Sequence, residues 1–351
     1  MRILTPIQAL GAAAALALIS GCAEGSVIAP KPPTSQEHER SLMDRIPATL
    51  SPLGMLKVNM HTGNHFVTFD TCPATGNIEY ISDFNNSVIS IYKGNFAGQT
   101  PCGQLTAGLV NPQGMFIRGS SHELYVANTG GEDVLVFRRG ATSPVKTYSD
   151  PSGQFPADVT IAKDGTVIAS NIFSDSGGRG SISTWHLNGT FVGNFKMVND
   201  LQGVSVTVQK NGTLYFDDVD SGTRQGLLWT GSCPLGACGK FTSTGAKTAF
   251  PGGLRSANGE EVVQVDQGTD AFTGTLITYQ SFPKGVSCLI VGASDPVSID
   301  IKKEEKDVFY ADADLNVGGE IAYPSCAAVG TVPGNPNGLP IGAAADPPDP
   351  L

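Results

Sequence analysis

Basic residues are in short supply. The 351-residue chain carries 22 Lys and Arg against 32 Asp and Glu, a formal net charge of −10. That balance argues against nucleic acid as a partner, because no positive footprint is left to meet phosphates. Histidine is scarcer still, with five in the chain. His38 sits in a polar N-terminal stretch, His122 in a turn and His186 directly after a strand-like run. His61 and His65 (HTGNH) have a spacing that suits metal binding on a helix, but the adjoining HFVTF alternates like a strand, so they read as a surface pair. The usual general base for hydrolytic chemistry is therefore missing. A G-x-S-x-G nucleophile elbow is also absent. After the first 22 residues no second apolar run is long enough to span a bilayer.

The N-terminal segment MRILTPIQALGAAAALALISGC combines one early Arg with a small-apolar run that is too short and Ala/Gly-rich for a comfortable span. It ends in Ile19-Ser20-Gly21-Cys22, which resembles the lipobox of bacterial lipoprotein signals. The resemblance implies that residues 1–21 are removed and that lipid is attached to Cys22 as the new N-terminus. Two acyl chains anchor stably where one does not. Ala23 rather than Asp follows, which by the same analogy favours the outer membrane where a cell has two. Residues 22–54, rich in Pro, Ser and charge, read as a flexible tether. Residues 334–351, rich in Pro and Gly, read as a disordered tail. That leaves 55–333 for the folded part. With Cys22 set aside, six cysteines remain, an even number for an oxidising compartment. CPLGAC is short enough to close across one hairpin and pairs Cys233 with Cys238. Cys72, Cys102, Cys288 and Cys326 stay unassigned.

The folded part repeats itself. IEYISDFNNSVISIY, LYVANTGGEDVLVF, VIASNIFSDSGGRGSISTW, LYFDDVDSGTRQGLLW, VVQVDQGTDAFTGTLITY and FYADADLNVGGEIAY each contain an apolar run, an Asp or Asn, a polar turn, a second run and an aromatic. The Asp/Asn positions are Asp83, Asn128, Asn171, Asp218, Asp266 and Asp312, at intervals of 45, 43, 47, 48 and 46. The aromatics are Tyr92, Phe137, Trp185, Trp229, Tyr279 and Tyr323. A further run precedes each pair, from HFVTFDTC to PVSIDIKK, and turns such as Lys163–Gly165, Lys210–Gly212 and Ala257–Gly259 supply hairpin chemistry. A fourth run follows. Four antiparallel strands recurring six times predict an all-β, six-bladed β-propeller. The aromatics then belong between blades, and the Asp/Asn row caps the turns. MLKVNM (55–60) is a candidate outer strand that joins the ends.

These blades resemble NHL-type repeats and the gluconolactonase-like six-bladed propellers, through their Y-[VI]-[AS]-[ND] … V-x-[VI]-[FY] rhythm. The latter resemblance implies a divalent metal at the channel, held by Glu, Asn and Asp at first-strand starts. The matching positions here are Gln113, Ala157, Gln202, Gly252 and Val297, with Asp158 one residue off. That set cannot assemble a hard-cation cage.

What remains is acid in the turns between second and third strands, with Asp218, Asp220, Asp266 and Asp270 forming an acidic rim. Arg118, Lys163, Lys210, Arg255 and Lys302 fall at the opposite end. Asp312, Asp314, Asn316 and Glu320 follow the 1-3-5-9 spacing of short calcium loops and form a candidate Ca2+ site that stiffens the rim. They lack the glycine at position six and the acid at position twelve of an EF-hand. The expected function is a membrane-anchored extracytoplasmic lipoprotein whose propeller binds a protein or small ligand without catalysis. The alternative is a metal-dependent propeller hydrolase or lyase.

Overall fold

The described residues of the computed structural model are 72–347, less 74, 95–99, 175–179, 198–199, 221–224, 270–271 and 303–306; the side chains of 174, 200–202 and 220 are also outside them. Contacts divide the chain into Met1–Pro32 and Pro33–Leu351, and every described residue belongs to the second unit. The expected signal segment, Cys22, the tether, MLKVNM and the His61–His65 pair lie outside the described residues. So do Asp270 and the side chain of Asp220.

Six four-stranded antiparallel sheets make up the fold. The first contains β1 (Ile78–Asp83), β2 (Val88–Lys93) and β3 (Gly103–Leu105). The second runs β4 (Pro112–Arg118), β5 (Glu123–Asn128), β6 (Asp133–Arg138) and β7 (Lys146–Ser149). The third has β8 (Gln154–Ile161), β9 (Thr166–Ser174), β10 (Ser181–His186) and β11 (Phe191–Lys196). The fourth has β12 (Asp200–Val208), β13 (Thr213–Asp220), β14 (Gly226–Ser232) and β15 (Thr242–Thr248). The fifth has β16 (Pro251–Ala257), β17 (Glu261–Asp266), β18 (Thr275–Tyr279) and β19 (Val286–Leu289). The sixth has β20 (Pro296–Ile301), β21 (Asp307–Asp312), β22 (Val317–Ala322) and β23 (Ala327–Pro333). The last strand, β24 (Pro340–Asp346), returns to the first sheet, whose order is β24-β1-β2-β3.

The ring closes at β24, which corrects the reading of 334–351 as a disordered tail. All seven residues of β24 are buried, and it takes the inner place expected for HFVTFDTC. The inner strands β24, β4, β8, β12, β16 and β20 each touch the next, in a closed cycle. Small residues are required there. A Cβ on Gly342 would stand 2.0 Å from the Gln113 carbonyl oxygen, and one on Gly114 would stand 2.3 Å from the Asp158 carboxylate. Asp346, at the end of β24, is clamped by Arg139 (2.8 Å) and His122 (2.6 Å) of the second blade.

Each inner strand shifts register near its start, a bulge that bends it at the channel. Proline opens four of them, at Pro112, Pro251, Pro296 and Pro340, a place where its missing N–H costs no ladder bond. The predicted turns are present as well: Gly165 and Gly212 both have φ of +87°, and Asp164 and Asn211 accept the backbone N–H two residues on.

Apolar packing lies between blades, with one cluster at each interface and a second, of Phe84, Val297, Ala313, Leu339 and Ile341, between blades six and one. The six predicted aromatics are distributed one to each: Tyr92 between blades six and one, then Phe137, Trp185, Trp229, Tyr279 and Tyr323 around the ring. Burying each such side chain contributes roughly 1.5–3 kcal/mol. Three disulfides, Cys72–Cys102, Cys233–Cys238 and Cys288–Cys326, account for the six cysteines.

Candidate functional site at the propeller axis

The inner strands converge on a single guanidinium. Arg255 on β16, 4% exposed, donates from Nη1 (2.8 Å) and Nη2 (3.3 Å) to the two carboxylate oxygens of Asp158 on β8. Its Nη2 also donates to the Met115 carbonyl on β4 at 2.6 Å, and its Nη1 to its neighbour Leu254 at 2.7 Å. Asp300 on β20 stands 3.5 Å from Nε. The carboxylates extend the set: Asp158 accepts the Val206 N–H of β12 and Asp300 accepts the Ala345 N–H of β24. All six inner strands are thereby joined through one cation.

Burial raises Asp158 and carries Asp300 up to about 6, with Arg255 opposing both shifts. Burial works against the charge on Arg255, but Asp158 and then Asp300 hold its pKa above the usual value. Planar, permanently charged Arg suits this bidentate role where Lys does not. Asp158, one residue from the position where the resembled enzymes place a metal ligand, is thus committed to a side-chain cation. Gln113 and Val297 are buried nearby, and Ala157 and Gly252 add no ligand oxygen from a side chain.

The Asp/Asn row turns inward. Asp83 accepts the Leu339 N–H, Asn128 the Val110 N–H, Asp266 those of Ala249 and Phe250, and Asp312 those of Ser294 and Asp295. In each case the donor lies one or two residues before the inner strand of the same blade. These four pin strand two to the loop that leads into strand one, a contact the turn-capping expectation did not include. The expected N–H of the following turn is accepted as well by Asp83, Asp266 and Asp312, from Asn86, Gly268 and Leu315. Asp218 is 1% exposed. Of the expected acidic rim, then, Asp218 is buried and Asp266 is spent on backbone N–H groups.

The candidate calcium loop does not assemble. Asp312 accepts from Ser294 and Asp295 through one oxygen and from Leu315 through the other. Asp314 accepts from the Ser294 hydroxyl and Asn316 donates to the Asn335 carbonyl. Glu320 faces away along β22 and pairs with Lys302, which also bridges to Glu79. Asp312 and Asp314 share Ser294, whereas Asn316 and Glu320 turn to Asn335 and Lys302, so the four side chains do not converge on one point. Among the described residues no three His, Cys, Asp or Glu side chains come together as a metal site. The basic end is reduced too: Lys163 and Lys210 are exposed and Arg118 is half-buried, whereas Arg255 and Lys302 are in buried pairs.

Sequence reasoning missed Asp217, next to the aligned Asp218. It is fully buried on β13 and accepts the Ser205 N–H (2.7 Å) and the Gln264 amide (2.9 Å). Burial pushes its pKa well up. The alternation of LYFDDVD gives the only local signal, since it points Asp217 and Asp218 to opposite faces of the blade.

No family model matches the chain, and no curated protein matches it. Solved structures do. A chain in the crystal structure of a nidogen/laminin complex aligns with a TM-score of 0.59 and 14% identity, over 77% of this chain and 98% of that one. Hydrazine synthase of Kuenenia stuttgartiensis (TM-score 0.49, 12% identity, 69% and 72% covered) and a functionally unknown protein from Desulfotomaculum acetoxidans DSM 771 (0.48, 14%, 71% and 76%) also align. What this chain shares with the nidogen/laminin-complex chain is the fold. At these identities the likeness goes no further.

Proposed function

We propose that this chain is an extracytoplasmic scaffold, held to a membrane by lipid on Cys22, whose propeller binds a protein or small ligand without transforming it. The observation that carries the non-catalytic part is the Arg255 cluster. At the axis, where propeller enzymes of the resembled kind gather metal ligands, Asp158 and Asp300 are bound to a guanidinium. A propeller of similar shape occurs within a nidogen/laminin complex, so the fold admits service in a protein assembly. The Ile19–Cys22 lipobox resemblance supports the anchor, and three disulfides support an oxidising compartment.

Two measurements test this. Labelling of cells with a radioactive fatty acid should mark the chain, and Cys22→Ser should abolish the label and release the protein from membranes. Unchanged membrane retention of unlabelled protein would refute the anchor. Incubation with lactones, esters and phosphotriesters, with and without millimolar divalent metal, should give no turnover above background. Turnover that a chelator abolishes would instead establish the metal-dependent hydrolase.

A further inference from the structure

A cleft of about 480 Å³ opens between the second and third blades, away from the axis. Its origin lies in the register of three strands. Arg118 on β4 is paired with Glu123 on β5, which is paired with Arg138 on β6, so the three form one row across the blade. The next row on that face, two residues along each strand, holds Phe116, Tyr125, Val136 and Lys146. Phe116, Tyr125 and Val136 belong to the apolar cluster shared with the third blade, but the Arg118–Glu123–Arg138 row does not. Apolar cover therefore stops one row short of the blade's end. Tyr125 and Val136 line its base but are only 2% exposed, so the open apolar surface is that of Val145 and Leu187, with Asn188 beside them.

The charge here opposes that of the molecule. Three cations, Arg118, Arg138 and Lys146, face one acid, Glu123, a surplus of two positive charges in a chain of net −10. The acid does little to quench them: Arg138 Nε is 3.8 Å from Glu123, with the Arg138 side chain 72% exposed. The Arg118 guanidinium has no hydrogen-bond or ion-pair partner among the described residues. Lys146 is held in place, donating to the Leu187 carbonyl at 2.6 Å and lying over the Tyr148 ring; one contact leaves the other ammonium protons for a ligand. Arginines on alternate strands stand about 10 Å apart at the backbone, and their side chains are long enough to converge on one group between them.

We propose that this cleft binds a phosphate monoester of an aromatic or apolar alcohol. The phosphate, near two negative charges at neutral pH, matches the surplus and takes charge-assisted hydrogen bonds from Arg118, Arg138 and Lys146. The organic group packs on Val145 and Leu187, the apolar lining left open to solvent. The site is independent of the membrane anchor, so its failure would leave the scaffold reading standing.

The test is a ligand-observed NMR titration of the full chain in non-ionic detergent at low salt, with phenyl phosphate, inorganic phosphate and phenol as separate probes. Phenyl phosphate should saturate and bind about tenfold more tightly than either fragment. Arg118→Gln and Arg138→Gln should each weaken it about tenfold, and Glu123→Gln should tighten it. Arg138 is the control for folding, since its exposed side chain supports no packing. If inorganic phosphate binds as well as phenyl phosphate, or if neither arginine substitution changes the affinity, the assignment is wrong.

Discussion

Replacing Arg255 with Met is the sharpest test of how the ring is held at its axis. The substitution keeps much of the side-chain volume but strands two carboxylates, Asp158 and Asp300, both below 7% exposure. It also leaves the Met115 carbonyl without its 2.6 Å donor. Removing one member of a buried ion pair costs about 3–5 kcal/mol, and for a domain of this size each kcal/mol moves the melting temperature by roughly 2–4 °C. A loss of roughly 10 °C is therefore expected at pH 7, read by calorimetry or urea unfolding with disulfides intact. The loss should shrink on acidification, because protonation neutralises the stranded acids. Asp300 already sits at about 6 in the intact protein; without Arg255 it rises further. The combined variant Arg255→Met with Asp158→Asn and Asp300→Asn should recover most of the stability, since no buried charge is left unpaired. A single variant destabilised by less than about 1 kcal/mol, or a combined variant no better than the single one, would refute the reasoning.

Ending the chain at Leu339 removes β24 and with it the inner strand of the first blade; cooperative thermal unfolding should be lost, and a truncated protein melting within a few degrees of the full chain would contradict closure by that strand. Asp312→Ala frees three backbone donors and should cost about 2–4 kcal/mol, while millimolar calcium should not raise the melting temperature of the intact protein. Glu79 is fully buried, and burial carries it to about 7 against the opposing pull of Lys302. A carboxyl at about 4.3 when unfolded and about 7 when folded gives stability that is present below the unfolded value and lost as pH rises to 7. Urea midpoints should therefore fall between pH 5 and 7, and Glu79→Gln should flatten that slope; an unchanged slope would place the titration elsewhere.

The repeat was legible because a propeller blade is built from local contacts. The aromatics, the Asp or Asn residues and the Gly165-type turns recur about every 46 residues, so one aligned row exposes them, even though at the closing blade Asp83 reaches Leu339 and Tyr92 reaches Pro333. The inner strand β24 escaped because its composition imitates a loop. Yet Pro340-Ile341-Gly342 repeats Pro112-Gln113-Gly114 and Pro251-Gly252-Gly253, and its Ala and Gly residues suit a strand whose neighbours crowd the axis. That Pro-x-Gly start was the available signal. Arg255 carried none. Its partner Asp158 is 97 residues away, and on a strand end an arginine looks like any solvated base. Asp218 and Asp266 of the expected acidic rim were misplaced for a related reason: counting carboxylates in turns ignores whether the oxygen points to water or into its own blade.

The same distinction bears on where a ligand can be drawn to this protein. Two of its buried ionic clusters hold more acid than base: Asp158 and Asp300 share Arg255, and Glu79 and Glu320 share Lys302. In each, burial raises one carboxyl, Asp300 or Glu79, against the pull of the shared cation. Part of the formal −10 is therefore not at the surface. A field computed from sequence would steer cations to a rim whose aligned acids are occupied. The charge a ligand meets at the edge of blades two and three is that of Arg118, Arg138 and Lys146, and its sign is positive.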